Sequence, residues 1–255
     1  MATLKDIQLK IAAVRKTKQI TKAMNMVAAS RLRGAQTSME AFRPYAGKFS
    51  EVLGSLAQRA GGETNPLLVP REEVKQVNLV LCTSDRGLCG GFNANLIEKA
   101  GAFIKERAGS GIDFSFNNFG KKGRDWCRKE KLQIDAEYLG VVGTSFGFNV
   151  AATAGKNLVE AFLEGTYDEV HLVYAEFVSM ARQVPVIQQL LPIPPIETEG
   201  TEEAEGGGAY MPEHICEPST DSLLADMLPR NIYVQIYSAL LETSTSEHAA
   251  RMMAM

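Results

Sequence analysis

Counting from Leu4 in alternating steps of three and four lands on Ile7, Ile11, Val14, Lys18, Thr21, Asn25, Ala28, Leu32, Ala35, Met39, Phe42, Ala46, Phe49, Leu53 and Leu56. Only Lys18, Thr21 and Asn25 interrupt the apolar run, and they are consecutive. A seam that repeats every 3.5 residues marks a helix meeting another helix along its length, whereas a helix laid on a globule carries a broader stripe. If it is continuous from Leu4 to Ala60, the helix has about 57 residues and reaches roughly 85 Å. A compact globule of this chain length is only about 45 to 50 Å across, so the helix has to protrude. Pro44 removes a hydrogen bond and crowds the preceding turn, which predicts a kink. Gly61-Gly62 closes the segment.

From Gln76 the period changes. "QVNLVLCTSD" is a continuous apolar strand, "RGLCGG" a turn and "FNANLIEKAGAFIKER" a helix. "IDFSFNNFG" predicts a second strand, "KKGRDWCRKE" a short helix, "LQIDAEYLG" a weaker strand and "NVAATAGKNLVEAFLEG" a further helix. "DEVHLVYAEFVS" and "QVPVIQQLLPI" follow as two strands joined by "MAR". Strands alternating with helices imply a parallel sheet covered on both faces, here with an antiparallel hairpin attached.

Residues 194 to 219, "PPIETEGTEEAEGGGAYMPEHICEPS", are acidic and without period, as a loop is. Helical spacing then returns, with Leu224, Leu228, Ile232, Ile236 and Leu240 four apart. Pro229 suits the first turn of that helix. The pattern reaches Met255 with neither a glycine cap nor a closing polar turn, so the helix is expected to be incomplete. Two terminal helices, each with an apolar stripe, close naturally as an antiparallel pair. The expected fold is therefore α/β, a long antiparallel coiled coil of the N- and C-terminal helices plus a central Rossmann-like α/β domain. Its parts are residues 1–60, 61–219 and 220–255.

Composition adds function classes to exclude. With 255 residues, 45% hydrophobic, 22% charged and a net charge of −3, the chain can bury a sizeable core. No apolar run has membrane-spanning length and the first ten residues resemble no secretory signal, which predicts a cytoplasmic chain without direct bilayer insertion. Net acidity gives no basis for nucleic-acid binding. Yet residues 1 to 33 carry Lys5, Lys10, Arg15, Lys16, Lys18, Lys22, Arg31 and Arg33 against Asp6 alone, which points to an acidic partner. Cys82, Cys89, Cys127 and Cys216 lack C-x-x-C pairing or histidines at ligand spacing, so no metal site or disulfide framework is expected. "SDRGLCGGFNANL" is glycine-rich between strand and helix, but matches neither G-x-G-x-x-G nor G-x-x-x-x-G-K-[ST]. Cys89 within it has no evident base among His171, His214 and His248. A tight turn is the plain reading, with no catalytic residue and no cofactor.

"ATLKDI", "KQITKAMNMVAAS", "SDRGLCGGFNANL", "QVPVIQQLLP" and "TSEHAARMMAM", in this order from end to end, closely resemble the gamma subunit of the F-type rotary ATP synthases. The resemblance implies a non-catalytic central rotor shaft. Its coiled coil would stand inside a ring of alpha and beta subunits, and its globular part would sit on the c-ring with the epsilon subunit. Proton-driven rotation of the c-ring would then cycle the beta subunits through their catalytic states. It places Lys18, Lys22, Met24, Arg31 and Arg86 against the acidic catch loops of beta, and His214, Cys216 and Glu217 at the foot on the c-ring. Cys216 stands where the family often has tyrosine, and the family's C-terminal helix continues about 35 residues further, roughly 50 Å of rod. The plant-chloroplast redox insertion is not seen, which favours a bacterial enzyme at the cytoplasmic face of the inner membrane, peripherally bound. The other class to separate is a non-rotary coiled-coil adaptor with an α/β docking head.

Overall fold

The computed structural model describes residues 3–59, 65–107, 109, 111–194 and 219–255. Helix α1 (Leu4–Arg59) runs unbroken through Pro44, where a kink was expected. Pro44 is exposed, so the carbonyl it leaves without a partner faces water. The helix opens on a capping box: the Thr3 hydroxyl accepts from Asp6 N–H, and the Asp6 carboxylate accepts from Thr3 N–H at 3.0 Å.

The sheet holds β1 (Gln76–Cys82), β2 (Asp113–Phe119), β3 (Gln133–Tyr138), β4 (Glu169–Phe177) and β5 (Gln183–Leu191) in the order β3-β2-β1-β4-β5. All neighbours are parallel except the β4–β5 hairpin. Helices α2 (Phe92–Glu106) and α3 (Lys121–Lys129) cover one face, where Phe92, Leu96, Phe116 and Cys127 are buried together. The other face packs on α4 (Phe148–Leu163), on the last turns of α1 and on α5 (Thr220–Ala254), through Leu53, Leu158, Phe162, Leu228 and Ile232. This is a doubly wound sheet whose strand order reverses between β1 and β4.

Helix α5 begins a full two turns before Pro229, because the Ser219 hydroxyl accepts from Ser222 N–H at 3.2 Å and fixes the start. Pro229 lies inside the helix rather than in its first turn. The helix returns antiparallel along α1: Phe42 meets Tyr237 edge to face at 4.8 Å, and Asn25 donates to the Met252 carbonyl at 2.7 Å. Counting equal rise from a start opposite residue 60 puts Met255 opposite residue 26; the Asn25 bond moves that register about one turn toward the start of α1.

The seam divides at this point. Thr21 through Leu56 are buried or half-buried at every seam position, whereas Leu4, Ile7, Ile11 and Val14 are 48 to 76% exposed. Among the described residues nothing packs on them. A lone helix of about 20 residues is marginal in water. Hydrogen exchange on the isolated chain is therefore expected to be fast from Thr3 to Thr17 and slow from Ala28 to Phe42. Strong protection at Ile7 and Ile11 in a proven monomer would overturn this register.

Candidate partner interface

The loop after β1 is a rigid turn. Thr83 N–H donates to the Phe119 carbonyl at 2.7 Å, Ser84 N–H to Asn93 Oδ1 at 2.9 Å, and the Ser84 hydroxyl to the Arg86 carbonyl at 2.6 Å. Asp85 accepts from Lys121 N–H and from Gly140 N–H at 3.1 and 2.9 Å, tying together the loops after all three strands on this side. Leu88 and Gly90 adopt positive φ, 63° and 58°, which turns the chain sharply into α2. Cys89 is buried and burial pushes its thiol up, so the one nucleophile of the loop is held protonated. Arg86, by contrast, is exposed.

Arg86 and Arg31, some fifty residues apart in sequence, line one cleft of about 570 Å³ between α1, α5 and the loop before α4. Ser38, Thr144, Ser145, Tyr237, Ser244 and His248 are among its walls, and none of the described residues lining it carries a carboxylate. Arg31 reaches the Gly143 carbonyl at 3.4 Å, so its guanidinium is anchored at one corner with donors to spare. Two guanidiniums beside five hydroxyls suit a planar, hydrogen-bonding anion such as a side-chain carboxylate. Lys18 is exposed on α1 beyond the stretch that α5 covers, Lys22 is exposed at the edge of that stretch, and Met24 is half-buried. Thus the structure brings Arg31 and Arg86 together and leaves Lys18 and Lys22 on the neighbouring turns of the rod. His214, Cys216 and Glu217 lie outside the described residues.

One group of residues escaped sequence reasoning. "ETSTSEHAAR" in α5 is a polar run that reads as a solvent face, yet Thr243 through Arg251 are all buried. Glu247 is 2% exposed, paired with Arg251 one turn on, and its Oε2 lies 3.0 Å from His248 Nδ1. That last contact is close but poorly aligned, leaving both atoms without a proper hydrogen bond. Burial alone raises the Glu247 carboxyl, but His248 and the Arg251 charge outweigh it and hold the group below the ordinary carboxylate range. Arg251 also donates to the Gly87 carbonyl at 3.3 Å. The available signal was the Glu247–Arg251 spacing of four, together with four consecutive hydroxyls in a helix whose other positions are apolar.

Comparison with known proteins agrees with this architecture. The family model described as ATP synthase matches residues 3–255. The ATP synthase gamma chain of Desulfosudis oleivorans is 66% identical over the whole chain, which covers 86% of that relative. Those of Desulforapulum autotrophicum and Nitratidesulfovibrio vulgaris are 61% and 52% identical with the same coverage. Among solved structures, a chain from the central stalk and c-ring of the Tetrahymena thermophila mitochondrial ATP synthase superposes with a TM-score of 0.66. It is 24% identical, with 92% of this chain and 97% of that one covered, a likeness of fold. With its terminal helices paired over a doubly wound sheet and these relatives matching it throughout, the chain belongs to the ATP synthase gamma-chain family.

Proposed function

We propose that this chain is the central shaft of a rotary ATP synthase, a non-catalytic subunit that couples rotation to ATP synthesis or hydrolysis. One observation carries the reading: two terminal helices rise as an antiparallel pair from an α/β head, in a chain 66% identical to an ATP synthase gamma chain. A shaft of this shape presents a different side to each subunit of a surrounding ring. Its orientation then favours a different conformation in each, which is what a differential ligand does. Among the described residues no helix is long and apolar enough to cross a membrane, so attachment runs through other subunits. The partners are the alpha and beta ring, the epsilon subunit and the c-ring, at the cytoplasmic face of a bacterial inner membrane.

In this reading the cleft of Arg31 and Arg86, with Lys18, Lys22 and Met24 along the rod, receives the acidic loops of the beta subunits. His214, Cys216 and Glu217 form the foot on the c-ring. Arg86 is exposed, and exposed ion pairs are worth about 0 to 1 kcal/mol. Arg86→Glu should therefore leave the melting temperature of the isolated chain within about 2 °C and change ATPase turnover of the reconstituted hexamer about two- to fivefold. A large drop in melting temperature with normal turnover would refute the assignment. Electron microscopy of the complex purified through this chain tests the shaft itself: a ring without the helical pair at its centre, or no ring, favours the adaptor.

A further inference from the structure

In an open doubly wound sheet, ligands bind in the crevice at the carboxyl ends of the strands where the order reverses. Here that crevice lies beyond β1 and β4, and the polar run of α5 fills it. The last β1–β4 pair is Leu81 with Val173, so β4 continues to Phe177 without a strand on that side. On that open side both main-chain groups of Ala175 and the N–H of Phe177 are satisfied by side chains of α5. Ala175 N–H donates to Thr243 Oγ1 at 3.3 Å, Ser246 Oγ donates to the Ala175 carbonyl at 3.2 Å, and Phe177 N–H donates to Glu242 Oε2 at 3.4 Å. Helix α5 thus stands in for a missing strand. One residue further round, Ser244 Oγ accepts from Gly143 N–H at 3.2 Å, while the Gly143 carbonyl takes Arg31 of α1.

We infer that Glu242, Thr243, Ser244 and Ser246 are positioning residues that join the shaft to the head, so that torque entering the α/β head passes into the rod through this joint. Apolar helix packing is non-directional, and two packed helices slide over a sheet at little cost. Hydrogen bonds from one short stretch of helix to the main chain of a strand end and of a loop resist that sliding, because each has a required direction. The four groups lie where α5 crosses the carboxyl ends of the strands, one to two turns before Ala250 and Arg251 reach the loop after β1 and the start of α2. Arg43 of α1 lies 3.6 Å from the other Glu242 oxygen, bringing the second rod helix into the same joint.

The inference rests on the shaft reading, and the test separates the two. In the assembled ATP synthase, with the catalytic ring fixed and a bead on the α/β head, angular fluctuation during a catalytic pause measures the compliance between them. Thr243→Val with Ser246→Ala removes the hydroxyls at nearly constant volume and should raise the angular variance at least about twofold, with unloaded rotation rate unchanged. Thr243→Ser keeps the hydroxyl and should match the unsubstituted chain. Phe116→Ala, in the far half of the sheet against Trp126, provides a destabilised chain with an intact joint and should leave the variance unchanged. Unaltered variance in the double variant, or an equal rise in Phe116→Ala, overturns the joint. If the unsubstituted chain supports no rotation at all, the shaft reading falls, and the joint with it.

Discussion

Glu247→Ala is expected to lower stability by about 3 to 5 kcal/mol, because it leaves the buried Arg251 guanidinium without its counter-charge. For a chain of this size that corresponds to a melting temperature about 6 to 20 °C lower. The cause is the stranded cation, so removing both charges is expected to do less harm than removing one: Glu247→Leu with Arg251→Met should recover much of the loss. If the double replacement is as damaging as Glu247→Ala, the pair is held for packing and the electrostatic account fails. The sign with pH follows from the depressed carboxyl. Its contribution is complete above the ordinary glutamate value and disappears as pH falls through the lower folded value. The gap in stability between the parent and Glu247→Ala should therefore narrow in acid, as denaturant titrations at neutral and acidic pH can measure.

Gly120→Ala is the second change with a large expected effect. Gly120 follows β2 at φ 95°, where a side chain is strained, and an added Cβ would stand 2.2 Å from the Thr83 carbonyl oxygen. That oxygen is main chain, held in the turn after β1, and cannot rotate away. Strain and overlap together are expected to cost about 3 kcal/mol or more. The retreat of Thr83 would also move Arg86, three residues on, relative to Arg31. Loss of stability is thus expected together with weakened coupling in the reconstituted hexamer, unlike Arg86→Glu, which should affect coupling alone. A Gly120→Ala chain that melts like the parent would mean the turn is softer than its hydrogen bonds imply.

The seam from Asn25 to Leu56 was readable because a 3.5-residue repeat has a single structural meaning, and the strand-helix alternation of 76–193 because its periods switch cleanly. The same seam from Leu4 to Val14 carries an equally good pattern, yet nothing covers it among the described residues. A pattern records that a face is made for contact, without saying what makes it. Pro229 misled because proline suits a first turn and is also tolerated further in; Ser219 was the better signal, three residues before Ser222. Residues 243–251 were illegible for a different reason. Hydroxyls and a carboxylate on a helix normally mean water, and it takes the unpaired edge of β4 and the loops after β1 and before α4 to make them interior groups. Likewise Arg31 and Arg86 could each be singled out in sequence, but their shared cleft exists only once α1 lies against the loops beyond the sheet.

The bond from Asn25 to the Met252 carbonyl closes a span of 227 residues. During synthesis at about 5 to 20 residues per second, the first helix leaves the ribosome roughly 10 to 45 s before the residues that will cover it. Through that interval Ala28, Leu32, Met39 and Phe42 have no partner from α5, and the end of β4 stands open as a strand edge, a template for pairing with another nascent chain. A molecule whose rod and sheet are both sealed by a segment made long after its first helix stays open until that segment arrives, so its yield in the cell depends on how well the waiting surfaces are shielded until then.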